Sequence, residues 1–171
     1  VPSAKPHIIL IDGKSGVGKS RLATIMAVAT GATLVHLDDV YPGWVGLAAG
    51  RDDIIESVLV PLSQGQSGGY VSWDWVNDQP GQRVSVEPAN VVIVEGCGIS
   101  TAESRALADT VVWVDCPDPV RAERLRLRDG DRFASHLAGW EAQVAAHIKD
   151  NSPDITASVV VRTATEQTVG G

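Results

Sequence analysis

Gly13-Lys14-Ser15-Gly16-Val17-Gly18-Lys19-Ser20 spells G-x-x-x-x-G-K-[ST] between the apolar run His7-Ile8-Ile9-Leu10-Ile11 and the helix-prone stretch from Arg21 to Ala27. A buried strand that enters a tight glycine-rich turn and leaves as a helix points successive backbone N–H groups into one concavity, and the helix adds the positive end of its dipole. That makes a seat for an anion. Lys19 would reach the β and γ phosphates of a nucleoside triphosphate, Ser20 would set its hydroxyl on Mg²⁺, and Arg21 would stand beside them. Carboxylates end two later apolar runs, Asp38 and Asp39 after residues 32–37 and Glu95 after residues 91–94. Such a group suits phosphoryl transfer, in which one carboxylate accepts the proton of an attacking hydroxyl. Asp38 is the expected base, the alternative being a turn residue after a strand. Asp39 would share the metal shell or brace its loop, and Glu95 would hold the metal or its water unless it is only a solvated strand end.

These groups need a scaffold, and the hydrophobic pattern supplies one. After the first strand and a helix from about Lys19 to Thr30, residues 32–37 read as a second strand, and Val40 to Gly50 as a Gly-rich aromatic loop over a site. Asp52-Asp53 would cap an amphipathic helix through about Leu62. Residues 70–75 are strand-like, residues 83–86 a minor strand, and residues 91–95 the central strand. A helix from about Thr101 to Leu107, a strand at 110–115, a helix after Pro117-Asp118-Pro119 broken by Asp129-Gly130-Asp131, a long helix from about Phe133 to Lys149, and a strand at 157–162 complete the order. The tail Thr163 to Gly171 is expected to fray. Strand and helix alternate throughout, which predicts an α/β fold with a five-stranded parallel sheet, helices on both faces and right-handed crossovers. Ligands bind at the carboxyl ends of such strands, where the phosphate loop, Asp38-Asp39 and Glu95 all fall.

With 171 residues and 44% hydrophobic content the chain is expected to form a single domain over residues 1–171. No apolar run approaches the roughly 18 residues of a membrane span, and Val1 to Pro6 is too short and polar for a signal peptide, so a cytoplasmic protein without a membrane partner is expected. A net charge of −7 argues against a nucleic-acid partner. Cys97 and Cys116 lack metal-like spacing and are expected as buried free thiols, His36 and His147 as structural residues, and Trp113 and Trp140 as core. Arg121 and Arg124 fit a solvated helix face paired to Glu123 and Asp129, whereas Arg128 and Arg132 flank the Gly130 break and would close on the phosphates.

Taken together, Gly13 to Ser20, Asp38-Asp39-Val40-Tyr41, Trp73-Asp74-Trp75, Val94-Glu95-Gly96 and the arginine-rich segment from Arg121 to Arg132 resemble the uridine kinase and phosphoribulokinase branch of the P-loop kinases. The runs Asp39 to Trp44 and Arg128 to Asp131 also resemble small actinobacterial kinase-like proteins. The resemblance implies a three-layer P-loop NTPase fold with an arginine-containing lid at about 121–135 and an acceptor segment at about 38–80. It implies ATP and Mg²⁺, a small-molecule acceptor of nucleoside type, the base at Asp38, Glu95 near the metal, and lid arginines matching Arg126, Arg128 and Arg132. It places Asp39, Tyr41, Trp73, Asp74 and Trp75 against the acceptor. Trp44, in its Gly-rich loop, is a second stacking candidate, and at most one of Trp73 and Trp75 would stack because they point to opposite sides of an extended segment. Asp78 stands where the family has a histidine that contacts the pyrimidine. A nucleoside-monophosphate kinase would need more basic residues at the acceptor pocket, where only Arg51 and Arg83 are near, and a regulatory nucleotide-binding protein with little turnover is the alternative of another class.

Overall fold

The computed structural model describes residues 5–163. Five strands, β1 (His7–Asp12), β2 (Thr33–His36), β5 (Val91–Glu95), β6 (Thr110–Asp115) and β7 (Val159–Arg162), pair in the order β2-β5-β1-β6-β7, every pair parallel. Along β1 the side chains alternate between two cores. Ile8 and Leu10 join the larger one with Val92, Val94, Tyr41 and Trp140, while Ile9 and Ile11 join the other with Val17, Ala23, Val112 and Val114. Apolar residues on both faces of every central strand are what a sheet covered by helices on two sides requires, so the expected α/β three-layer architecture is present.

The first crossover, α1 (Lys19–Thr30), starts directly from the phosphate loop and ends on Gly31 in the left-handed conformation. The second differs from expectation. The helix begins at Leu47 rather than after Asp52-Asp53, and runs as α2 (Leu47–Ile54), a π segment (Ile55–Leu59) and α3 (Val60–Ser63). Its cap comes from far along the chain, since the Leu47 N–H donates to Gln143 Oε1 at 3.3 Å. Pro61 removes the N–H that would bond Ser57, and the turn before it widens to an i→i+5 spacing. The strand-like segments at 70–75 and 83–86 are longer than expected and pair antiparallel as a hairpin, β3 (Gly68–Asp74) and β4 (Gln79–Val86), separate from the main sheet.

Beyond α4 (Ala102–Leu107), helix α5 (Asp118–Asp129) stops at Gly130, φ 54°. The long helix α6 (Ala134–Asn151) and the short α7 (Pro153–Thr156) follow. Thr163, placed by its sequence in the fraying tail, is held instead: its N–H donates to the Asp115 carbonyl and its hydroxyl to that of Val17. The remainder of that tail lies outside the described residues. No helix among the described residues is long and apolar enough to cross a membrane.

Candidate active site

Every chemical group singled out from the sequence at a strand end lies on one edge of the sheet, at the carboxyl ends of β1, β2 and β5. The phosphate loop leaves β1 through Gly13, whose φ of 155° and missing side chain are both needed: a Cβ there would stand 2.4 Å from the Val114 carbonyl oxygen. Val17 turns its side chain into the core, which anchors the loop from below. The backbone N–H groups of residues 14–18 donate to no acceptor among the described residues. Lys19 is 8% exposed, and its Nζ donates to the Lys14 carbonyl at 2.9 Å and toward Cys97 Sγ at 3.4 Å. Burial works against the charged ammonium, yet Cys97, Glu95, Asp12 and Asp38 hold its pKa above the ordinary value. The carboxylates do this at neutral pH, because burial keeps Cys97 itself a thiol.

Ser20 is exposed at the head of α1 and donates from Oγ to Glu95 Oε1 at 2.9 Å. Glu95, 2% exposed, takes a second contact on the same oxygen from His36 Nδ1 at 2.5 Å. Its hydrogen bond to Glu95 pushes the His36 pKa up. Asp38 and Asp39 follow β2 in one turn of 3₁₀ helix, both exposed to solvent. Asp38 feels several charged neighbours. Partial burial and the charge of Glu95 raise its pKa above the ordinary 3.8, and Lys19 and Arg128 pull it part of the way back. Unpaired loop amides, a buried ammonium, and a hydroxyl seated on a carboxylate fit a triphosphate carrying Mg²⁺. Ser20 and Glu95 are the residues that would hold the ion.

The remaining expectations divide. Arg128 lies close enough to Asp38 for each to shift the other, and it is held by a bidentate pair with Asp129 at 2.8 and 2.7 Å. The Arg132 guanidinium lies over the Phe133 ring, 5.2 Å from its centroid, and Arg126 pairs with Glu123 in solvent. Arg21 is exposed on the first turn of α1, and Lys14 reaches Asp118 at 3.4 Å. Arg121 and Arg124, expected on a solvated face, instead reach the phosphate loop. Arg121 Nη1 donates to the Ser15 carbonyl at 3.3 Å and to Glu141 at 2.8 Å, and Arg124 Nη1 donates to the carbonyls of Gly16 and Val17 at 3.4 and 3.2 Å. The first half of the expected lid is therefore docked on the loop through Arg121 and Arg124.

Of the residues expected against the acceptor, Tyr41 is buried. It is 1% exposed, edge-on to Trp140, and its hydroxyl donates to the Cys97 carbonyl at 2.7 Å. Asp74 is also turned away from that task, because its oxygens accept from Val76 N, Asn77 N and Asn77 Nδ2 and so hold the hairpin turn. Trp44 is enclosed: it stacks on His136 at 4.9 Å and meets Phe133, Trp75 and Trp140 at 5.0 to 6.1 Å. Trp73 keeps a buried indole N–H without a partner among the described residues. Trp75, 39% exposed, donates from Nε1 to the Asp38 carbonyl at 2.8 Å and so lies beside Asp38.

Four groups that hold the site together carried no functional signal in the sequence. Asp12, 1% exposed, accepts from Gly13 N at 2.7 Å and from Gly98 N, Ser100 N and His147 Nε2 at 2.9 Å, so one carboxylate joins the phosphate loop, the loop after β5 and helix α6. Its place one residue before Gly13 was the available hint. His147 was read as structural and is so. Cys97 is buried and free as expected, but it sits against Lys19, and Trp140 donates from Nε1 to Ser15 Oγ at 3.1 Å. Asp12→Ala is expected to lower stability by about 3–5 kcal/mol, the range for removing one partner of a buried charged network. Denaturant titration checks this, as a lower midpoint at unchanged slope; a loss under about 1 kcal/mol would mean the network is not holding these elements.

No family model matches the sequence, and none of the curated proteins compared with it does. Among solved structures, similarity extends over nearly the whole chain. A possible uridine kinase from Bacillus stearothermophilus superposes with a TM-score of 0.65 at 19% identity, covering 94% of this chain and 91% of that one. A gluconokinase from Sinorhizobium meliloti 1021 gives 0.55 at 18%, covering 94% and 85%, and shikimate kinase from Acinetobacter baumannii, solved with shikimate, gives 0.53 at 19%, covering 95% and 86%. At these identities the likeness is one of fold: the chain has the fold of P-loop kinases.

Proposed function

We propose that this protein is a phosphotransferase that moves the γ-phosphoryl group of Mg-ATP to a hydroxyl of a small metabolite. The observation that carries the reading is the convergence of Lys19, the Ser20–Glu95 pair and Asp38 at one sheet edge, with Arg128 near enough to shift Asp38. The loop amides and Lys19 bind the β and γ phosphates. Ser20 and Glu95 would hold Mg²⁺, which would supply neutralisation of charge on the phosphate oxygens. The acceptor hydroxyl attacks the γ phosphorus in line, its oxygen–phosphorus bond forming as the bond from that phosphorus to the β–γ bridging oxygen breaks. Asp38 takes the hydroxyl proton, and ADP leaves with the electron pair of the broken bond. Lys19 and Arg128 stabilise charge on the group in flight.

A nucleoside is the acceptor class implied by the sequence resemblance, and Trp75 beside Asp38 offers the surface for its base or sugar. The enclosed Trp44, the buried Tyr41 and the self-bonded Asp74 favour reading the acceptor more broadly, as a small hydroxyl-bearing metabolite. Incubation with Mg-ATP and separate nucleosides, sugars and hydroxy acids tests this. Acceptor-dependent ADP release with a phosphorylated product is expected; ADP formation indifferent to every acceptor would point to a regulatory nucleotide hydrolase instead.

The pH profile gives a further check. Asp38 works as the carboxylate, and its pKa in the free protein is raised, so kcat/KM is expected to fall with decreasing pH at a point above the ordinary carboxylate value of 3.8. An acid limb at or below that value would exclude Asp38 as the titrating base.

A further inference from the structure

We propose that His36 is a positioning residue for Glu95, fixing the carboxylate through one oxygen so that the other is left for the divalent cation; this rests on the kinase reading above. His36 and Glu95 are paired residues of adjacent parallel strands, so their side chains leave the sheet on the same side. Both donors in the neighbourhood, His36 Nδ1 at 2.5 Å and Ser20 Oγ at 2.9 Å, act on Oε1, and Oε2 accepts no hydrogen bond from the described residues. An ionised carboxylate only accepts, so Nδ1 carries the hydrogen of the first contact.

The two donors are not equivalent. Ser20 is also the hydroxyl expected on the cation, and its oxygen must keep a lone pair directed there, which ties its orientation to Glu95. His36 has no such second duty. Its backbone is fixed opposite Glu95 by the strand pairing, and its contact to Glu95 does not depend on which way the Ser20 hydroxyl turns. A glutamate has three side-chain torsions to immobilise, so losing the fixed donor returns part of that ordering cost to each binding event. Partners that orient a metal-holding group affect metal affinity about 10- to 100-fold.

The test is Mn²⁺ binding in the presence of ADP, read by the electron paramagnetic resonance signal of free Mn²⁺, alongside ADP binding in a metal chelator. Expected is a 10- to 100-fold weaker Mn²⁺ affinity in His36→Ala, metal-free ADP affinity within about twofold of wild type, and recovery in His36→Asn. The amide nitrogen of asparagine occupies nearly the place of Nδ1. If wild type takes up no Mn²⁺ with ADP, the kinase reading fails and this proposal with it. If wild type binds and His36→Ala binds equally well, only the His36 proposal is overturned. Should His36→Ala not fold, His36→Leu against His36→Asn gives the same contrast, and equal Mn²⁺ affinities in the two would overturn it. An equal loss in His36→Asn and His36→Ala would likewise reduce His36 to a packing role.

Discussion

Asp38→Asn is expected to lower phosphoryl transfer by about 10²- to 10⁴-fold, the usual contribution of a positioned general base, while leaving Mg-ATP affinity nearly unchanged. Asparagine keeps the shape but cannot take the acceptor's proton. The separation of effects follows from position: Asp38 lies in the turn after β2 and the phosphate loop follows β1, and Asp38 is coupled to the loop through the charge of Lys19. The Trp75 N–H bonds the Asp38 carbonyl, not its carboxylate, so the hairpin's hold on the segment survives the substitution. Single-turnover kinetics with saturating nucleotide would show the loss in kcat. Turnover within about tenfold of wild type would remove Asp38 from the role.

Lys19→Ala is expected to act on both binding and turnover. The ammonium is buried with carboxylates around it, and in the resting protein it bonds the Lys14 carbonyl of its own loop. Nucleotide phosphates would displace that carbonyl as partner and gain a charge-assisted donor. Removing it is expected to cost about 10²- to 10³-fold in kcat, the range for one preorganised donor at a site of developing charge. A weakened nucleotide affinity would accompany it. Normal ATP turnover in this variant would take the loop out of the mechanism.

The parts legible in the sequence were those whose structure is set within a few residues. The phosphate loop needs only its glycines, lysine and serine in order, and each strand-end carboxylate follows its own apolar run, so Lys19, Ser20, Asp38 and Glu95 lie together at one sheet edge. What could not be read depends on side-chain direction and on distant partners. Tyr41 and Trp44 stand in the right segment, but packing against Trp140 and His136 turns them to the core and the aromatic cluster. Arg121 and Arg124 share a helix face with Arg128, and nothing local says that the phosphate loop lies beneath them. The start of α2 rests on Gln143, 96 residues further along. Nothing local marks Asp12, the last residue of β1, as the place where four donors from three elements converge.

Titration calorimetry with magnesium nucleoside triphosphates, performed on wild type and Lys19→Ala, tests the central claim most directly. The account predicts saturable binding in wild type that is strengthened by Mg²⁺ and weakened in the variant. Absence of heat with every triphosphate, or binding that ignores both the metal and Lys19, would contradict it.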